Sequence, residues 1–151
     1  MNDEKFLDVI DSTPLVSIDL LLEDKDGRVL LGKRMNKPAK DYWFVPGGRV
    51  RKNERLSDAI IRISMTELGI EITIDQAQLM GAFDHIYADN FAGKEGINTH
   101  YVAMGYQVKM ITNLSIESDD QHSDMIWWSK QELLNNDKVH KNTKLYFQDQ
   151  K

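Results

Sequence analysis

PGGRVRKNERLSDAIIRISMTELGI, residues 46–70, is the stretch whose reading decides the fold. Pro46, Gly47 and Gly48 interrupt whatever regular structure precedes them. From Leu56 the apolar side chains return at helical spacing: Leu56, Ala59, Ile60 and Ile63, with Glu67 on the same side. That periodicity predicts a helix over about 56–68. Ser57 or a neighbour is the expected N-cap. Gly69 stands just past the last turn, where a residue free to adopt left-handed backbone is expected.

Working outward, the residues upstream read as strands. Leu15 to Glu23 is rich in apolar and β-branched residues, and Asp24-Lys25-Asp26-Gly27 has the chemistry of a tight turn. Arg28 to Arg34 then follows as a hairpin partner. A loop around Pro38 leads to a short aromatic strand at Tyr42 to Val45, and residues 4–10 suit a short helix. Downstream, residues 78–87 and 99–110 read as strands separated by a polar loop, 88–98. Residues 112–124 are polar and acidic and read as a loop, and Met125 to Trp128 as a short strand. Residues 130–136 and 139–147 are predicted as terminal helices. Trp43, Trp127 and Trp128 suit a core or an interface better than a base-stacking platform. Strands interspersed with helices predict an α/β (α+β) architecture, a central mixed β-sheet sandwiched between α-helices.

The 151 residues fit a single domain, 1–151. With 41% hydrophobic residues there is material for a core, and 28% charged residues is an ordinary value for a globular chain. A formal charge of −5 argues against nucleic acid or an anionic membrane as partner. It still admits a phosphate-bearing small molecule, since a local basic pocket or a bound cation reverses the local field. There is no cysteine, hence no thiol chemistry. No apolar run reaches the roughly 20 residues of a membrane span. The cytoplasm is the expected location. Asp19 lies inside an apolar strand, where an unpaired carboxylate is costly; either an ion pair or a place in a site answers that.

Gly48, Glu54, Arg62, Glu67, Gly69 and Ile70 stand at the spacing of the Nudix box, which the stretch resembles. That motif places carboxylates at the positions of 63, 66 and 67, which share one helix face. They meet a backbone carbonyl of the glycine turn, and together bind the magnesium that neutralises a diphosphate. Glu54 and Arg62 can pair to hold the loop on the helix. Here position 63 is Ile and position 66 is Thr, so only Glu67 remains of the three. One magnesium per site then suits better than a cluster, and a general base has to come from elsewhere.

One Nudix subfamily with the same departure is the GDP-mannose mannosyl hydrolases. The chain is similar to them over most of its length, including residues 12–17, 31–34, 42–50, 89–91, 99–102 and 121–122. The resemblance implies the Nudix fold and hydrolysis of GDP-mannose, or GDP-glucose, to GDP and the free sugar. Water would attack the anomeric carbon with inversion. It implies magnesium on the Gly47 carbonyl, Glu67 and Gln121, and His122 as the base. Arg34 would contact the phosphate or leaving oxygen, with Arg49 and Arg62 supporting the site. Asp19, His85 and Tyr101 would lie near sugar or phosphates, and the protein would be a homodimer. Two other outcomes stay open. One is an ordinary pyrophosphatase splitting the nucleotide sugar at phosphorus. The other is a nucleotide-sugar sensor without catalysis.

Overall fold

Strand β1 (Leu15–Glu23) organises the chain. In the computed structural model, which describes residues 1–110 and 122–148 with backbone alone at 122–124, β1 runs parallel to β6 (Thr99–Lys109) from Leu15↔Tyr101 to Glu23↔Lys109. It also pairs antiparallel with β2 (Val29–Arg34) and β4 (Gly47–Arg49). Adding β3 (Trp43–Phe44), β5 (Gln78–Tyr87) and β7 (His122–Trp128) gives seven strands among the described residues. The order is β3-β2-β1-β6-β5, with β4 on β1 and β7 on β2.

Strand side chains alternate between faces, and β1 shows what each face buries. Ile18, Leu20 and Leu22 point towards helix α2 (Leu56–Leu68) and form one core with Ala59, Ile60, Ile63, Leu68, Tyr106 and Val108. Leu21 points the other way, into a second core with Val29, Leu31, Val45, Leu133 and Val139. Helices α3 (Lys130–Asn135) and α4 (Lys141–Lys144) belong to that side. Helix α1 (Asp3–Ser12) precedes β1, its N-cap Asn2 accepting from Lys5 N at 2.8 Å. A mixed sheet with helices on both faces is the predicted architecture. The tryptophans are partly buried against the core: Trp127 packs on the first cluster, Trp43 and Trp128 on the second.

Several boundaries differ from the sequence-based expectation. Gly47–Arg49 is a strand where its residue types predict a turn, because its backbone is recruited by β1 through Ser17↔Arg49, Ile18↔Gly48 and Asp19↔Gly47. Strand β7 starts at His122 instead of Met125, drawn into register by β2 through Arg34↔His122. The last helix is one turn, Lys141–Lys144. It is held by polar burial instead of an apolar stripe: Thr143 is 1% exposed and its hydroxyl accepts from Val45 N at 3.4 Å. Arg55, without a side-chain bond, is the N-cap of α2, and Gly69 closes it at φ 71° as expected. A 3-10 turn at Ile74–Gln76 has no counterpart in the sequence-based expectation.

Candidate functional site

The register of the sheet assembles a cleft. Counting from Leu21 on the face away from α2, β1 presents Asp19 and Ser17, β4 presents Gly47 and Arg49, β6 presents Tyr101, and β5 presents His85 and Tyr87. These residues line a cavity of about 270 Å³, completed by Arg34 from the end of β2 and Phe44 from β3. Five predicted site residues, Asp19, Arg34, Arg49, His85 and Tyr101, therefore converge from separate strands of one sheet.

The arginines are oriented by their surroundings. Arg34 Nε donates to Pro38 O at 2.9 Å and Asn36 O at 3.3 Å, and its guanidinium lies 5.9 Å from the Phe44 ring centre. The loop after β2 thus aims Arg34 before any ligand arrives. Arg49 stacks 4.5 Å above Phe6. Phe6 rests on Phe91 at 5.2 Å, and Phe91 follows Asn90, a fully buried side chain that ties down loop 88–98. Asn90 donates to Lys94 O and Ile97 O at 2.8 and 2.7 Å and accepts from Ala92 N and Lys94 N. The Asp89-Asn90-Phe91 segment positions Arg49 through Phe6.

Asp19 is the electrostatic centre. Its side chain is 15% exposed. Burial pushes its pKa up to about 7, against the pull of the Tyr146 hydroxyl and of Arg34. His85 Nδ1 is 3.6 Å from Asp19 Oδ2. The His85 ring is held down to about 4 by burial first and by His140 second, so it is neutral at physiological pH. Its Nε2 is buried with no hydrogen-bond partner among the described residues. Burial also raises the phenols of Tyr87 and Tyr101 above their ordinary value.

The box helix contributes on the other side of β4. Ile63 is 1% exposed, and a Cβ placed on Gly48 would meet its Cγ1 at 3.1 Å. Glu67, one turn later on that helix face, is 2% exposed; Thr66 faces solvent. Arg62 lies outside the cleft lining. Its Nε and Nη2 grip both oxygens of Glu54 at 2.7 and 2.8 Å, and Nη2 also reaches Arg49 O at 2.8 Å. It supports the site by fixing the backbone that carries Arg49.

Among the described residues no group of three or more His, Asp or Glu side chains gathers as a metal site. A smaller oxygen donor set is present. Leu20 N bonds Pro46 O and Val50 N bonds Val16 O, so in the alternating antiparallel ladder the Gly47 carbonyl points away from β1. Glu67 stands on the α2 face that packs against this strand. A carbonyl and a carboxylate fit the preference of magnesium for oxygen. Gln121, the third expected ligand, lies outside the described residues. So does the side chain of His122, the expected base, whose backbone pairs with Arg34.

Sequence reading missed Phe6, Phe44, Tyr87 and Tyr146. Phe6 and Tyr87 lie in none of the resembling segments, and Phe44, though within residues 42–50, carried no site role there. The signal for Tyr146 was Gly105 in the middle of a long strand, since a strand glycine marks close approach by another group.

Comparison with known proteins places this geometry. A family model described as NUDIX domain matches residues 13–149. The low-salt glycan biosynthesis protein Agl8 of Haloferax volcanii is 41% identical over 124 residues, covering 82% of this chain and 76% of that protein. A MutT NUDIX hydrolase from Burkholderia pseudomallei superposes with a TM-score of 0.73 at 28% identity, covering 90% of this chain and 97% of that one. The NUDIX domain of Shewanella oneidensis NrtR, solved with ADP ribose, shares the fold at a TM-score of 0.65 and 19% identity, over 97% and 95% of the two chains.

Proposed function

This chain belongs to the NUDIX domain family, a family of hydrolases, and on that premise we propose that it hydrolyses a nucleoside-diphosphate sugar at the glycosidic carbon. The substrate is GDP-mannose or GDP-glucose and the products are GDP and free sugar. The observation that carries this reading is the fate of the box carboxylates. Ile63 is packed into the core on Gly48 and Thr66 is turned to solvent, so of the three box positions only Glu67 supplies a carboxylate. Attack at phosphorus in this family relies on that carboxylate cluster. The cleft instead offers a carboxylate, two arginines, a neutral imidazole and two phenols on the opposite sheet face, a set suited to sugar hydroxyls and phosphates. Similarity to a glycan biosynthesis protein supports a sugar nucleotide.

Hydrolases of this family generally use divalent ions such as magnesium. Gly47, Glu67 and Gln121 would hold one, and when bound it neutralises the diphosphate. The chain's own residues supply the rest. Arg34, pre-aimed by the Pro38 carbonyl, and Arg49, stacked on Phe6, offset charge that grows on the leaving phosphate. Asp19 and Tyr101 orient the sugar. His122 is the base: register with Arg34 puts its backbone beside the cleft, and imidazole is a side chain suited to general-base catalysis. Its nitrogen takes a proton from water as the water oxygen bonds to the anomeric carbon. The bond from that carbon to the β-phosphate oxygen breaks, and GDP departs with the electron pair. Attack from the face opposite the leaving group inverts the configuration.

Proton and phosphorus NMR of the protein with GDP-mannose and magnesium tests this. GDP with β-mannose as the first sugar product is the expected result. GMP with mannose 1-phosphate overturns attack at carbon, and binding without turnover makes the protein a sensor.

A further inference from the structure

Asp19 is flanked by glycine on both sides. Gly47 is its partner on β4 and Gly105 its partner on β6. Neither strand places a Cβ beside it, and each gap is used. A Cβ on Gly105 would stand 2.5 Å from Tyr146 Cε1, so the Tyr146 ring lies directly on the Gly105 backbone. There it is clamped edge-on by Phe83 at 4.7 Å and His85 at 5.4 Å between ring centres. From this seat its hydroxyl donates to Asp19 Oδ2 at 2.7 Å, the oxygen that also faces His85 Nδ1. The other oxygen, Oδ1, is the nearest atom to the missing Cβ of Gly47. Any side chain there would collide with it and with Ile18 O at 2.5 Å. Tyr146 is not part of the cleft lining; it walls a separate cavity of about 330 Å³ with Leu21, Met80 and Phe147. It reaches Asp19 from behind.

We propose that Tyr146 is a positioning residue for the cleft: its hydroxyl holds Asp19 Oδ2, which turns Oδ1 towards Gly47 and the cleft to accept a hydroxyl of the substrate's sugar. This rests on the reading that a nucleotide sugar places its sugar beside Asp19. A carboxylate with one oxygen tethered has one orientation to offer, and an acceptor fixed before binding costs no ordering when the sugar arrives. The C-terminal segment thereby becomes part of the site without touching substrate.

A double-mutant cycle separates this role from plain packing. Tyr146→Phe keeps the ring on Gly105 and removes only the hydroxyl. With GDP-mannose and magnesium, kcat/KM is expected to fall about tenfold, the scale of one side-chain hydrogen bond. In an Asp19→Ala background the same change is expected to have no further effect. Equal falls in both backgrounds overturn the proposal, as does unaltered kcat/KM in Tyr146→Phe. A second measurement needs neither substrate nor a foldable Tyr146 variant. The proton of a buried, bonded phenol exchanges slowly enough to give a downfield NMR resonance, which is expected in the wild type and lost in Asp19→Ala. A resonance that survives Asp19→Ala refutes the pairing. If the wild type releases no GDP, the functional reading fails, and this resonance still decides whether Tyr146 tethers Asp19.

Discussion

Glu54→Gln is the perturbation whose size follows most directly from the structure. Both oxygens of Glu54 are committed: Oε2 to Arg62 Nε at 2.7 Å, Oε1 to Arg62 Nη2 at 2.8 Å and to Arg51 N at 3.0 Å. The Arg62 bond is the main reason the carboxyl is held down at about 2 instead of 4.5. At 1.36 kcal/mol per pKa unit that preference for the charged form is worth roughly 3 kcal/mol. The side chains are 14% and 26% exposed, so solvent screening reduces the usable figure to about 1–2 kcal/mol. A depressed carboxyl stabilises the fold fully above its unfolded value of 4.5, and this is lost as pH falls through the folded value near 2. At pH 3.5 about three fifths remains for a carboxyl at 2. A neutral amide in place of the Glu54 carboxylate cannot gain this term at any pH. Urea unfolding of wild type and variant at pH 7 and pH 3.5 reads both numbers. The expected result is a deficit of about 1–2 kcal/mol at pH 7 that shrinks at pH 3.5. A deficit that is the same at both pH values, or absent at pH 7, refutes the reasoning.

Three more expectations concern the site. His122→Gln lowers GDP release by a factor of about 10²–10⁴ while calorimetry shows magnesium-dependent GDP binding retained; turnover near the wild-type rate removes His122 as base. Ile63→Glu, which restores a box carboxylate, lowers stability by roughly 3–5 kcal/mol because the charge is buried beside Gly48, and phosphorus NMR still shows GDP as product; a stable variant that releases GMP contradicts the packing account. The His85 imidazole titrates near 4 in an NMR pH series because burial opposes its charge. The unfolded ring, titrating near 6.5, binds the proton first, so stability declines as pH drops from about 6.5 towards 4; a midpoint above 6 in the folded protein is incompatible with that.

What was legible in the sequence was whatever depends on local pattern. The α2 periodicity, the Gly69 stop, the Asp24–Gly27 turn and the long strands all read correctly because each is set by residues near one another in the chain. The misread segments are those fixed by distant partners. Gly47–Arg49 carries turn residues yet is a strand, because β1 supplies its hydrogen bonds. Residues 141–144 have no apolar stripe, and their burial depends on Val45, 98 positions from Thr143. The same division holds in the site. Arg34, Arg49, Asp19, His85 and Tyr101 were found through motif resemblance, whereas Tyr146 sits 127 positions from Asp19 and in no motif.

The box helix and the cleft divide their chemistry between the two faces of one sheet. In β1 Ile18, Leu20 and Leu22 build the core under α2, whereas Ser17 and Asp19 on the opposite face line the cleft, so the box helix and these cleft residues lie on different sides of the same strand. At position 63 an isoleucine, not a carboxylate, fills the space on Gly48 on the α2 side. Nothing on the cleft side has to move. Gly47 serves both, its carbonyl turned from β1 and its missing Cβ leaving room for Asp19. A substitution at Gly47 should accordingly damage metal dependence and sugar recognition together.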